Sequence, residues 1–189
     1  MDIYRIIDET GKVLWVSVIV FCLAFAFRGD SELFCQDTTL INFSLKDQFN
    51  NHYSNKNFEG NIVILVGSDH EGSEYNETWS LAIYDSLKEI GLEDSVKFLP
   101  VADLRGVPFF LKGFVRSKFP SDYSKWILMD WSGKFARSYD FSPDASNIIL
   151  FDRKGNLIYH MTVTNLDRKR LKKFMGKLLA LPDFPQKGA

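Results

Sequence analysis

Cysteine is scarce in this sequence and is confined to its first 35 residues. The 189 residues contain two cysteines, Cys22 and Cys35, and the stretch from Gln36 to Ala189 contains none. Without a thiol, that stretch has no internal disulfide, no thiolate nucleophile and no cysteine metal site. Redox chemistry by cysteine within residues 36–189 is therefore excluded.

An excess of charge of either sign is also lacking. Lys and Arg number 23 against 24 Asp and Glu, for a net charge of -1. A near-neutral chain has no field that attracts a polyanion, so no nucleic-acid partner is expected. The hydrophobic fraction of 46% and charged fraction of 25% are those of an ordinary globular protein, and the 17 Phe predict a large aromatic core.

One long uncharged run stands near the N-terminus, from Val13 to Phe27, with the sequence VLWVSVIVFCLAFAF. A bilayer-spanning helix needs about 20 apolar residues, whereas the apolar part of a signal peptide has about 7 to 15. The length therefore favours a signal peptide or a short signal anchor. Ala24-Phe25-Ala26 fits a small-x-small cleavage site, but acidic residues among the first twelve argue against cleavage, so both outcomes stay open.

Two units follow from this reading of the N-terminus. We expect residues 1–35 to be a signal peptide or membrane signal anchor plus spacer, and residues 36–189 to form the folded domain. We also expect the domain to lie outside the cytoplasm, either periplasmic or membrane-anchored, with membrane contact only through the N-terminal segment.

The pattern along residues 36–189 alternates between strands and helices. Short β-type stretches at 41–45 and 52–54 predict an opening hairpin. A continuous apolar run at 61–66 predicts a strand buried on both faces. The helical spacing of apolar residues after Glu74 predicts an amphipathic helix that ends at Gly91. The remaining elements are predicted as strands at 96–102, 126–129, 147–151 and 156–162, and a last helix capped by Thr164 or Asn165 and running to about Leu181.

This order of elements resembles that of thioredoxin-like domains of the redoxin or peroxiredoxin type. The segments Phe43–Gln48, Leu128–Tyr139 and Ile148–Gly155 are similar to the opening, the strand-turn segment and the late hairpin of such domains. Gly113–Ser117, followed by Trp126, is similar to the narrower group of YtfJ-like exported proteins. The resemblance implies an α/β fold with a central mixed sheet flanked by helices and an N-terminal β-hairpin.

The redox residues of thioredoxin relatives have no counterpart here. Their Cys-x-x-Cys pair follows the strand that corresponds to 62–66, and at its two places this sequence has His70 and Ser73. The Pro-x-x-x-Thr-x-x-Cys sequence of peroxiredoxins is absent from 67–79. The cis-proline expected six residues before the turn of the late hairpin is replaced by Ser146.

Polar residues occupy the redox position instead, and we take them as a candidate binding loop, consisting of Asp69, His70, Glu71, Ser73 and Glu74. His with carboxylates also suits a metal or acid/base site, but a structural metal site usually needs four ligands, and neither His52 nor His160 has an obvious pairing with His70. We therefore assign no metal, no cofactor and no catalytic residue. The simpler interpretation is that Ser68, Asp69 or Ser73 caps the helix, while Glu71 and Glu74 favour its positive end.

Basic residues gather in the connection from Leu104 to Lys118. We take Arg105 and Arg116 as candidate basic contacts, and Arg116 as the better one. An arginine offers a planar fork of donors that holds carboxylates or phosphates. A merely solvated side chain is the simpler alternative for both.

Two functional hypotheses follow. The first is an exported thioredoxin-like domain without redox cysteines that binds another cell-envelope protein or a small ligand. The second is an enzyme on the same fold, either an atypical thiol or peroxide oxidoreductase that uses Cys35 or a partner's thiol, or a metal enzyme or hydrolase based on His70.

Overall fold

A computed structural model describes residues 39–185. The predicted segment 1–35, with both cysteines, lies outside the described residues. Within 39–185, a hairpin of two strands precedes a sheet of five strands. None of the helices in this range is long and apolar enough to span a membrane.

The elements are numbered in chain order. The hairpin consists of β1 (Ser44–Lys46) and β2 (His52–Ser54). The strands of the sheet are β3 (Ile62–Ser68), β4 (Val96–Asp103), β5 (Leu128–Asp130), β6 (Ser146–Phe151) and β7 (Leu157–Val163). The α-helices are α1 (Ser73–Glu89), α2 (Lys112–Arg116), α3 (Lys134–Ser138) and α4 (Arg168–Leu179). Single 3-10 turns are found at Asn55–Asn57, Glu93–Ser95 and Phe109–Leu111.

The sheet is mixed, with the strand order β5-β4-β3-β6-β7. Strands β3, β4 and β5 are parallel, whereas β6 is antiparallel to β3 and β7 is antiparallel to β6. The end of β3, the end of β4 and the start of β6 therefore meet at one edge of the sheet. We call this the loop edge, defined by Ser68, Asp103 and Ser146. The predicted arrangement of a central mixed sheet, flanking helices and an N-terminal hairpin is confirmed.

Strand β3 forms the middle of two hydrophobic cores. All of its residues are buried, as the continuous apolar run predicts. Ile62, Ile64 and Val66 face one core, which contains residues of α1 and α4. Val63 and Leu65 face the other core, which contains residues of α3. Alternation along a strand places successive side chains on opposite faces, so both faces of β3 need an apolar cover.

Aspartates fix the tight turns of the fold. Asp152 accepts hydrogen bonds from the backbone amides of Lys154 (2.9 Å) and Asn156 (2.8 Å), and Gly155 adopts the left-handed φ of 80° that the predicted hairpin turn requires. Asp47, which is fully buried, holds the turn between β1 and β2 in the same way. A carboxylate that bonds nearby amides gives the backbone partners that the turn would otherwise leave unsatisfied.

The predicted start of the last helix is wrong. Asp167 is the N-cap of α4, because its carboxylate accepts hydrogen bonds from the backbone amides of Lys169 (2.7 Å) and Arg170 (3.3 Å). Thr164 serves another purpose: its carbonyl accepts the indole hydrogen bond of the buried Trp79 at 2.8 Å. This contact joins residues that are distant in sequence, so no local pattern could reveal it.

Two strands begin more than one residue later than predicted. The stretch at 41–45 is a strand only from Ser44, and the stretch at 126–129 only from Leu128. Trp126 instead stacks on Tyr53 of the hairpin, with ring centroids 4.6 Å apart and an interplanar angle of 10°. An aromatic contact between distant segments therefore outweighs the strand preference of Trp126.

His160 makes the stability of the fold dependent on pH. It lies half-buried on β7 opposite Ile149, and burial lowers its pKa, although the charge of Asp140 acts in the opposite direction. The unfolded chain then binds this proton more readily than the folded chain. The stability contributed by neutral His160 is thus present at neutral pH and is lost as the pH falls below the unfolded pKa of about 6.5.

Substitution of His160 tests this dependence. We expect His160→Gln to lose less free energy of unfolding between neutral pH and about pH 5 than the unsubstituted chain, as measured by urea unfolding at both pH values. The exposed His52 supplies the control, and His52→Gln should follow the unsubstituted chain. Equal losses in the unsubstituted chain and in His160→Gln would contradict this account.

Candidate functional site

The candidate binding loop lies at the loop edge, between the end of β3 and the start of α1. The structure keeps its five predicted residues together, on the loop and in the first turn of the helix. Asp69 is half-buried, whereas the other four are exposed, namely His70, Glu71, Ser73 and Glu74. Glu74 lies in the first turn of α1, where the helix dipole favours a negative charge.

The carboxylate of Asp69 ties this loop to the segment that precedes β6. One oxygen accepts the backbone N–H of Gly72 at 2.9 Å, and the other accepts the backbone N–H of Asp144 at 3.0 Å. Asp144 has a φ of 55°, a left-handed value that is uncommon outside glycine. Asp69 is therefore a structural clamp between two loops, with both of its oxygens engaged.

The N-cap residue of α1 is Gly72, and neither Ser68 nor Ser73 caps the helix, contrary to the prediction. Asp69 bonds only the backbone N–H of this N-cap residue, from three positions earlier. The Ser73 hydroxyl donates to the His70 carbonyl at 2.6 Å, and the Ser68 hydroxyl donates to the Asp69 carbonyl at 2.8 Å. Both hydroxyls bond the loop itself because the tight turn brings its carbonyls within their reach.

Position 72 requires glycine because a larger side chain has no room there, and not because of its backbone conformation. Its φ of -75° suits any residue, but a Cβ at this position would lie 2.3 Å from the carbonyl oxygen of Ala145 and 2.6 Å from its carbonyl carbon. Both atoms are backbone and have no freedom to turn aside. The start of α1 thus packs directly against the backbone of Ala145, the residue before β6.

Asn147 organises the opposite side of this contact. It is fully buried, and its amide donates to the carbonyls of Gly67 (3.3 Å) and Ser142 (3.2 Å) while its oxygen accepts the Ser142 backbone N–H at 3.0 Å. Ser146, which replaces the expected cis-proline, is also fully buried, and its hydroxyl has no hydrogen-bond partner. Residues 39–185 contain no cis peptide bond.

A small group of carboxylates lies beside the loop. Oxygens of Asp69, Glu71 and Asp144 come within 4.8 Å of one another, and His70 is not part of the group. A hydrogen bond to Glu74, which is outside this group, raises the pKa of the neighbouring Tyr75, and burial and the charges of Glu74 and Asp144 raise it further. Glu71 and Asp144 are exposed and both Asp69 oxygens are occupied, so we assign no metal here.

Arg105 is near the loop, but its charge is already paired. Its Nε donates to a carboxylate oxygen of the buried Asp103 at 2.6 Å, and a terminal nitrogen forms an ion pair with the same oxygen. This hydrogen bond raises the pKa of Arg105, although burial acts in the opposite direction. The charges of Asp103, Asp130 and Asp69 also raise it. Arg105 therefore balances the carboxylates at the loop edge and keeps part of its side chain exposed.

Arg116 lies in a different place, at the end of α2. It lines a shallow pocket of about 300 Å³, which includes none of the candidate loop residues. The other lining residues are Gln48, Phe49, Gly113, Ser117, Phe119, Pro120 and Ser121. The Nε of Arg116 is buried and has no hydrogen-bond partner. The structure therefore does not unite Arg116 with the His70 loop in one pocket.

Sequence reasoning missed a group of exposed aromatic side chains in the connection between β4 and β5. Phe109, Phe110 and Phe114 are 83%, 70% and 61% exposed, and we call these three residues the aromatic ridge. Tyr123, farther along the connection, is 75% exposed. The available signal was the adjacent pair Phe109-Phe110 in a segment without a regular hydrophobic period, where no core position is predicted for them.

Comparison with known proteins identifies the fold. No family model matches the chain, and no curated protein sequence is detectably similar to it. Among solved structures, the exposed lipoprotein thioredoxin Etrx1 of Streptococcus pneumoniae aligns with a TM-score of 0.51 and 19% identity, over 71% of this chain and 97% of that one. A thioredoxin-type protein of Neisseria meningitidis aligns with a TM-score of 0.52 and 18% identity, over 78% and 94%.

A third similar structure comes from another group of proteins. BsSco, a member of the Sco family of cytochrome c oxidase assembly proteins, aligns with a TM-score of 0.51 and 11% identity, over 75% of this chain and 94% of that one. These comparisons define the class: the chain has a thioredoxin-like fold, as the resemblance of its sequence implies. The identities are too low to carry function, which has to be argued from the site.

Alanine at position 72 tests the close contact between the two loops. We expect Gly72→Ala to lower the free energy of unfolding by about 1–3 kcal/mol, the usual cost of overpacking, because its Cβ meets backbone atoms. Urea unfolding measures the change. Gly113→Ala is the matched control, since a Cβ there meets nothing within 4 Å and alanine is the better helix former. Equal stabilities of the two variants would contradict the contact.

Proposed function

We propose that this protein is an exported thioredoxin-like domain that binds a partner in the cell envelope and does not exchange disulfides. The observation that carries the proposal is the loop at the end of β3. In a fold that offers this position for chemistry, the loop has no cysteine and is closed by the hydrogen bonds of Asp69 and the packing of Gly72. These contacts hold the loop backbone in one conformation.

The exposed side chains of the loop are suited to recognition. Asp69 and Ser73 bond to the loop backbone, whereas His70 and Glu71 are exposed beside them. A rigid backbone that presents polar side chains loses little conformational entropy on binding. The partner proposed is therefore another envelope protein or a small ligand, with Arg116 as a second, separate contact whose buried Nε is unsatisfied.

The location outside the cytoplasm rests on the sequence. The apolar run 13–27 has the length of a signal peptide or signal anchor. The similarity of Gly113–Ser117 and Trp126 to YtfJ-like exported proteins agrees with it, and Etrx1, which has the same fold, is described as an exposed lipoprotein.

Capture of partners by the full chain tests the binding role. We expect a specific partner in cross-linked envelopes to be retained by the unsubstituted chain and reduced about tenfold by His70→Ala/Glu71→Ala, since a lost hydrogen bond to a charged group weakens binding by about this factor. Arg116→Ala reports on the second contact. Quantitative mass spectrometry measures the recovery.

The control for this experiment lies on the same helix. Lys88 and Glu89 are exposed near the other end of α1, and Lys88→Ala/Glu89→Ala should retain the partner fully. If every variant retains the same partners, the His70 loop is not the binding surface. If the unsubstituted chain itself captures no specific partner, the proposal of a protein partner is wrong.

Turnover assays test the absence of thiol chemistry. We expect the purified full chain to reduce neither insulin disulfides nor hydrogen peroxide faster than buffer, because residues 36–189 offer no thiolate. Turnover that disappears in Cys35→Ser would establish the atypical oxidoreductase instead. Turnover that survives in Cys35→Ser would show an enzymatic activity that does not depend on the Cys35 thiol.

A further inference from the structure

The aromatic ridge is an unusual surface for a protein in water. Phe109 and Phe110 are adjacent in the 3-10 turn Phe109–Leu111, and Phe114 follows within α2. Leu111 is also 40% exposed, so three consecutive apolar residues are exposed, and Phe114 follows them after Lys112 and Gly113. Contiguous apolar surface of this kind marks a place where a protein meets another phase or another molecule.

The connection that carries the ridge is anchored on the far side of the ridge, between Pro120 and Ile127. Gln48, which is buried, donates through its amide to the carbonyls of Pro120 (3.2 Å) and Lys125 (2.9 Å) and accepts the backbone N–H of Ile127 at 2.9 Å. The ammonium of Lys125 also contacts the Glu77 carboxylate on α1 at 3.1 Å. The connection that carries the ridge is thus tied to the hairpin and to α1.

The charged residues on the same stretch of chain as the ridge are basic, although one of them, Arg105, is paired with Asp103. From Leu104 to Ser121 the sequence contains four basic residues and no acidic one. Lys118 places its ammonium 4.7 Å from the ring centre of Phe114, and Lys112 places its ammonium 5.2 Å from that of Trp131. Both amines therefore lie beside aromatic rings at the surface, a combination that complements an apolar layer bordered by negative charge.

The shape of the ridge favours a fluid surface over a folded partner. Aromatic anchors of protein interfaces need a matching pocket on the other protein. Side chains that are 83% and 70% exposed stand out from the protein, and the acyl boundary of a bilayer accepts them without a complementary shape. Lys and Arg near such a surface gain further from anionic headgroups.

From these observations we infer that the aromatic ridge, with Lys112 and Lys118 beside it, docks on an anionic phospholipid surface. Phe109, Phe110 and Phe114 enter the acyl boundary, and the two amines contact the headgroup phosphates. This contact goes beyond the expectation that the membrane is met only through the N-terminal segment. It is also independent of the binding role proposed for the His70 loop.

Photo-cross-linking in the full chain tests the docking without interference from the N-terminal segment. The photoreactive residue p-benzoylphenylalanine replaces Phe110, or Leu81 in a control chain, because Leu81 is an apolar residue that is 53% exposed on a different helix, α1. Each purified chain is incorporated into vesicles of phosphatidylcholine, with or without an equal part of phosphatidylglycerol. Mass spectrometry then quantifies the lipid adduct on each chain.

We expect a lipid adduct at position 110 in anionic vesicles, with about tenfold less in neutral vesicles and at position 81. Lys112→Glu/Lys118→Glu should lower the adduct at 110 to a similar extent. Lys169→Glu/Lys172→Glu changes the net charge equally at exposed positions of α4 and should leave the adduct unchanged. Circular dichroism confirms that each charge variant is folded.

Several results would overturn the inference. Adducts of equal yield at positions 110 and 81, or equal yields in neutral and anionic vesicles, would show lipid contact without docking by the ridge. A cross-link from position 110 to a second copy of the chain would assign the ridge to self-association. The absence of any adduct at 110 would leave the ridge outside the membrane.

Discussion

The burial of β3 on both faces is the constraint on which the rest of this structure depends. A strand with Ile62, Ile64 and Val66 on one face and Val63 and Leu65 on the other cannot meet water on either side. It needs α1 and α4 on one face and α3 on the other, and it needs β4 and β6 as hydrogen-bonded neighbours. The pairing of β3 with β4 and β6 also determines which strand ends lie beside the carboxyl end of β3. The last residues of β3 and β4 and the first residue of β6 meet at the loop edge, so any side chain placed there faces two other loops.

The loop edge is held by packing and hydrogen bonds that leave little room for change. Gly72 touches the backbone of Ala145, Asp69 bonds both sides of the contact, and Asn147 bonds the segment that follows Phe141. In many proteins of this fold class a thiolate at the helix start benefits from the dipole. Here the same place has a glycine N-cap and a histidine in front of it. The proposed binding role assigns this polar loop to recognition in place of disulfide exchange, and the acidic side chains of the loop contrast with the basic residues beside the aromatic ridge.

The candidate site was only partly predictable from the sequence. The five residues of the candidate binding loop lie within six positions of each other in the sequence. They are therefore close together whatever the fold around them. What each side chain does was not predictable, because the partner of Asp69 is the backbone of Asp144, 75 positions away. The pairing of Arg105 with Asp103 needs only two residues of separation, but the pattern gave no sign that Asp103 would be buried. The sequence likewise did not show that Arg116 lies in a different pocket from the loop, since the position of Arg116 depends on where α2 packs.

The sequence by itself determined the order of the strands and of the two long helices, the burial of β3 on both faces and the absence of a thiol from residues 36–189, because these follow from local composition and from alternation along one segment. The turns held by Asp47 and Asp152 belong to the same group, since a carboxylate and the amides it bonds lie within four positions of each other. Only the tertiary structure decided that Asp167 begins the last helix, that Trp126 stacks on Tyr53, and that Phe109, Phe110 and Phe114 face outward. The physical reason is common to all three: burial and stacking depend on neighbours that are distant in sequence, and a local pattern contains no information about them.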